Sequence, residues 1–187
     1  MKLSVSAKTA IGAMVTALSV IILIPSAMQV FVYALPAMAG MLTMFTVVEI
    51  DKRWALGAYA ATAFIGLLFV ANKEAVMYYV AFFGYYPVVK ALLESRLPRV
   101  VEYILKFIVF NASIILSGVV LVKIFGMPYN DLLGIDGESA FFTRYALPIM
   151  LGLGNLVFIL YDVALTRLVT AYIYVWQKKF HKLFPFR

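Results

Sequence analysis

Glu74, Tyr78, Phe82 and Tyr85 stand four, four and three residues apart in the stretch EAVMYYVAFFGYYPVVKALLE. At helical periodicity they fall near one face. That face carries a carboxylate at one end and aromatic rings along its length, which suits a flat or cationic organic ligand through stacking and cation–π attraction. The stretch is apolar enough to cross a membrane, yet a span selected for lipid alone would hold Leu, Ile and Val throughout. It is read as the wall of a cavity. Gln29 and Tyr33, in the loop after the first apolar run, and Asn155, on the last one, are expected to complete the ligand-binding set with Glu74, Tyr78 and Tyr85.

Ionisable residues inside apolar runs are costly, so each is a functional suspect. Lys106 and Asp162 are two such residues, and pairing them removes two isolated charges from low dielectric. A proton relay is the sharper alternative. Lys90 and Glu94, one helical turn apart near the membrane surface, read as a solvated or snorkelling pair. Tyr79 and Tyr86 lie off the stripe and read as interfacial anchors. Gly152, Asn155 and Asp162 share a face, where Gly152 would admit a close neighbour and Asn155 would bond another helix or line the cavity.

These groups need a scaffold, and composition says which kind. Of the 187 residues, 65% are hydrophobic and 13% charged, against roughly half and a quarter in a soluble domain. Mean hydropathy is +0.98. The chain reads as an all-α integral membrane protein: one domain over 1–187, a compact bundle of about six transmembrane helices. The spans are expected near 8–24, 36–48, 54–71, 74–93, 101–125 and 144–170, followed by a basic amphipathic tail over 171–187. The last apolar run continues to Trp176. At helical rise it reaches roughly 50 Å, longer than a hydrocarbon core of about 30 Å, so it must tilt, break or leave the bilayer.

There is no cysteine and a single histidine, His181, which excludes a disulfide frame, a thiolate metal site and a histidine metal cluster. No metal, no other cofactor and no catalytic residue is expected. The net charge of +7 points to bases held on the cytoplasmic side rather than to nucleic acid. With both ends inside, 11 bases fall on the cytoplasmic side and 3 (Lys73, Lys123, Arg144) outside, as the positive-inside rule requires. No internal repeat of the inverted kind used by secondary carriers is visible. No GxxxxGK[ST] motif is present, so the chain cannot power transport alone.

On the first span Ala10, Ala13 and Ala17 recur at steps of three and four. Such a row serves either internal packing or a flat seat for a helix of another protein. With this row, about six spans in under 200 residues and a polar, aromatic outer half, the chain resembles the substrate-binding S component of energy-coupling factor (ECF) transporters. The likeness covers the whole layout and one short motif, Ala13-x-x-x-Ala17. It implies a non-enzymatic protein of a bacterial-type cell membrane that captures a vitamin or similar small-molecule substrate at the outer face. Such a protein docks on a transmembrane coupling protein driven by two cytoplasmic ATPase subunits, and topples in the lipid bilayer to release its cargo. It further implies that Ala13 and Ala17 contact the coupling protein, and that loops 29–33 and 130–138 close over the ligand. The competing expectation is a scaffold subunit of a cell-envelope complex, similar in layout to the rod-shape-determining membrane protein D. A lipid-modifying membrane enzyme would want paired acids or a metal cluster, which the chain lacks.

Overall fold

Ser4 opens the first helix by accepting the Ala7 N–H on its hydroxyl at 3.2 Å, one of the orphan donors every helix start must satisfy. The computed structural model describes residues 4–27, 31–128 and 140–176, and helices dominate them. In chain order they are α1 (Val5–Leu23), α2 (Ala34–Glu49), α3 (Lys52–Phe69), α4 (Lys73–Tyr78), a π-helical segment (Tyr79–Phe83), α5 (Tyr86–Arg96), α6 (Arg99–Lys123) and α7 (Ala140–Ala171). A π turn, Tyr172–Trp176, prolongs α7. Asp51 caps α3, accepting the Lys52 N–H at 2.7 Å, and Asn72 caps α4, accepting the Ala75 N–H at 3.1 Å. Lys73 turns back, its ammonium donating to the carbonyls of Leu67 and Val70, each at 2.8 Å, and so closes the end of α3.

Helices occupy all six expected positions. Four stretches are long and apolar enough to cross a membrane: Val5–Ser26, Lys73–Arg96, Arg99–Lys123 and Pro148–Val175. The protein is therefore a membrane-embedded helical bundle. α2 is apolar but has only 16 residues, about 24 Å of helix. α3 has 18 residues and opens on Lys52 and Arg53. These two reach the lengths expected for them but are not among the four stretches long and apolar enough to cross a membrane. The last run neither breaks nor stops at Pro148, which sits inside the helix. The basic tail lies outside the described residues from 177 onward.

α1, α2 and α3 pack on one another. Ile11, Val15, Thr16, Ser19 and Leu23 form the buried side of α1. Ser19 donates to Ala39 O at 3.4 Å and Thr16 to Ala58 O at 3.4 Å, so small polar residues make the close contacts, as is common in lipid. The fourth span is the centre of the bundle, with α2 against its π segment and α5, and α6 against it from the other side. Ala75, Val76, Tyr79, Phe82 and Tyr86 are buried there.

The π segment changes the geometry of that span. Gly84 N–H reaches back five residues to Tyr79 O at 2.8 Å instead of four to Val80 O, and the Tyr59 hydroxyl takes up Val80 O at 2.7 Å. Pro87 then starts the next helix without an N–H to offer. Of the two tyrosines at helical spacing from Phe82, it is Tyr86, four residues on, that continues its row. Replacing Tyr59 by Phe should leave Val80 O without its donor and cost about 1–3 kcal/mol. Equilibrium unfolding in mixed micelles measures this, and a cost near zero would mean that the carbonyl needs no partner.

Candidate functional site

Polar groups gather at the two ends of the fourth span. At the end where α2 begins, Tyr33 and Tyr78 lie with ring centroids 4.9 Å apart, their hydroxyls 3.5 Å from each other. The Tyr78 hydroxyl donates to Glu74 Oε1 at 3.1 Å. Tyr78 is buried, Glu74 half-buried and Tyr33 exposed. Asn72, next to this group in the chain, ties the α3–α4 turn to the end of α1 by donating to Ser26 O at 2.6 Å. The structure thus brings together three of the expected ligand-binding residues, Tyr33, Glu74 and Tyr78. Gln29 lies outside the described residues, as does loop 130–138.

The other two expected members lie elsewhere. Tyr85 faces α6 and α3, its hydroxyl 2.7 Å from Ser113 Oγ and its ring edge-on to Tyr59. Asn155 forms a reciprocal amide pair with Asn111 of α6, at 2.9 and 3.0 Å, and also donates to Leu151 O. Its amide is occupied in joining α6 to α7. Phe82 does not line a cavity wall but is encased by the rings of Phe83, Tyr86, Phe110, Phe158 and Tyr161. The face read as a cavity wall is aromatic core below Tyr78. Tyr79 and Tyr86, read as interfacial anchors, are both fully buried, because the bundle closes around the fourth span on more than one side. Gly152 admits no neighbour; a side chain built there would meet nothing within 4 Å.

The opposite end holds the strongest electrostatic feature. Lys106 does contact Asp162, at 3.3 Å, but the pair is part of a larger network. Lys90 Nζ lies 2.6 Å from Asp162 Oδ1 and 2.6 Å from Glu94 Oε1. Lys106 Nζ lies 2.8 Å from Glu94 Oε1 and 2.6 Å from Glu102 Oε1. The Tyr86 hydroxyl donates to Asp162 Oδ1 at 2.6 Å. Both lysines are 1% exposed, so Lys90 is not a snorkelling residue; only Glu94, with 40% of its side chain exposed, reaches the surface. Asp162 has three donors and Lys106 three acids around it, which is how buried charge becomes tolerable. The reading of the sequence gave Lys90 and Glu94 to a solvated or snorkelling pair and Tyr86 to an interfacial anchor, and gave Glu102 no role. The signal was there: Tyr86, Lys90 and Glu94 follow at steps of four, and so do Glu102 and Lys106.

Near the same end Lys52 donates to Ala91 O at 3.2 Å, and the Tyr172 hydroxyl to Glu49 Oε1 at 2.7 Å. These bonds fasten the α2–α3 turn to α5 and the end of α7 to α2.

Ala10, Ala13 and Ala17 are all exposed, beside Met14, Leu18 and Ile21. The row is not among the buried residues of α1. No protein-family model matches the chain, nor does any curated protein or solved structure.

Proposed function

We propose that the chain is the substrate-capture subunit of an importer of the energy-coupling factor type. It lies as a multi-pass protein in a bacterial-type cell membrane with both termini in the cytoplasm. It binds a small water-soluble micronutrient at the Tyr33–Glu74–Tyr78 end and delivers it, without catalysis of its own, through a coupling protein and two ATPase subunits. The observation that carries this reading is the exposed row Ala10, Ala13 and Ala17 on a helix whose other side is fully packed. A helix facing only lipid has no need of small residues there, whereas a partner helix that must approach closely does. The acid and two tyrosines at one end of the bundle supply a polar site away from the packed rings.

The occupied core beneath Tyr78 favours the second reading, a non-catalytic scaffold of a cell-envelope complex, which would use the same α1 face without a ligand. Purification from mild detergent separates the two. The capture reading expects ATPase subunits and a bound small molecule, and the scaffold reading expects envelope-synthesis proteins with no ligand. Ala13→Leu should weaken binding of the partner about 5- to 150-fold, since one bulky side chain in a close helix contact costs about 1–3 kcal/mol. The melting temperature should not change, because Ala13 touches nothing that the bundle needs. Unchanged recovery with Ala13→Leu and Ala17→Leu together would move the partner's seat off this face.

A further inference from the structure

We infer that the ligand of the Tyr33–Glu74–Tyr78 group is a cation, an organic ammonium or a positively charged heteroaromatic ring. Its charge rests on the Glu74 carboxylate and its face on the Tyr33 ring. The inference deepens the capture reading above and rests on it for the existence of a ligand.

The argument is one of unmet charge. Glu74 is half-buried, and its bond is to a neutral hydroxyl, that of Tyr78. The three carboxylates of the network at the opposite end, Glu94, Glu102 and Asp162, each have at least one lysine within 3.3 Å. Among the described residues Glu74 has none, although Lys73 is its neighbour in the chain. The Lys73 ammonium is committed to the carbonyls of Leu67 and Val70. A half-buried carboxylate with no counter-charge among the described residues is stabilised further by a positive partner, which offsets the removal of water from it.

The surroundings carry the same sign. The Tyr78 hydroxyl spends its proton on Glu74, so toward Tyr33 it offers only an acceptor oxygen. The Tyr33 ring, 49% exposed, presents a π face, negative at its centre. A carboxylate, an acceptor oxygen and a ring face all attract a cation. An anion would meet repulsion from each, and a neutral ligand would gain at most a hydrogen bond from the carboxylate.

The test uses the full chain in lipid nanodiscs and three probes of one shape: benzylammonium, benzyl alcohol and benzoate. Isothermal titration should give benzylammonium the tightest binding, at least about tenfold over benzyl alcohol, with benzoate weakest. Glu74→Gln should weaken benzylammonium about tenfold and benzyl alcohol by clearly less, since the amide oxygen can still accept the hydroxyl. Glu74→Asp, which keeps the charge, should retain the preference, and it serves as the control if Glu74→Gln melts below the parent. Equal binding of benzylammonium and benzyl alcohol, or a cation preference that survives Glu74→Gln in a folded protein, would overturn the inference. A co-purified ATPase module with no charge preference among the probes would overturn the cation and leave the capture reading standing. A Glu74-dependent preference with no such module would keep the cation site and overturn the importer.

Discussion

Lys90→Met should be the most damaging single substitution in this protein, with an expected loss of about 3–5 kcal/mol. The network holds two lysines and three acids, a formal sum of −1. Removing Lys90 takes the sum to −2 and leaves Lys106 to serve Asp162, Glu94 and Glu102 alone. A methionine fills the volume of the stem, so the loss reports charge rather than a cavity. Asp162→Asn acts in the opposite sense. It takes the sum to zero, Lys90 keeps Glu94, Lys106 keeps Glu94 and Glu102, and the amide oxygen still accepts from Tyr86. Its cost should be less than half that of Lys90→Met. Equilibrium unfolding of both variants in the same mixed micelles decides the matter. An Asp162→Asn loss as large as the Lys90→Met loss would mean that the geometry of the Asp162 carboxylate, and not charge balance, holds α5 to α6 and α7.

Gly40→Ala is expected to cost about 3 kcal/mol, at the upper end for overpacking. A methyl group built on Gly40 would lie 2.3 Å from Phe83 O and 2.7 Å from the Tyr161 hydroxyl. The first is backbone at the end of the π segment and cannot swing away. α2 must therefore move off the fourth span, opening the contact on which the centre of the bundle depends. Gly152→Ala is the matched control. Nothing lies within 4 Å of its added methyl, and alanine is the better helix former by roughly 1 kcal/mol in water, so this variant should be neutral or slightly more stable. Both changes add one methyl group to a helical glycine, and only the neighbours differ. If the two variants unfold at the same denaturant concentration, the close approach of α2 to Phe83 is not a packing constraint.

The helices and their ends were readable in the chain itself. Apolar runs of span length, the punctuation at Pro36, Asp51, Asn72 and Pro98, and the rise per residue place helices near all six expected positions, within a few residues. Those are local properties, fixed by propensity, capping and the cost of an unbonded backbone in lipid. Glu74 and Tyr78 were likewise legible as a pair, because both lie in the regular helix before the π segment, where spacing by four still means one face.

Beyond Tyr79 only the tertiary structure decided. The π segment closes with the Gly84 N–H on Tyr79 O, supported by Tyr59 from α3, and beyond it Tyr85 bonds Ser113 while Tyr86 is the partner of Asp162. Helical spacing from Phe82 allowed Tyr86, four residues on, as well as Tyr85, three on, and only the neighbours on other helices decided between them. The same holds for Lys90: one turn from Glu94, it looks like a surface pair until α6 and α7 close over it and bring Asp162. The Ala10, Ala13 and Ala17 row could equally have faced in or out. Thr16 and Ser19 made the inward contacts instead, and that left the alanines outside.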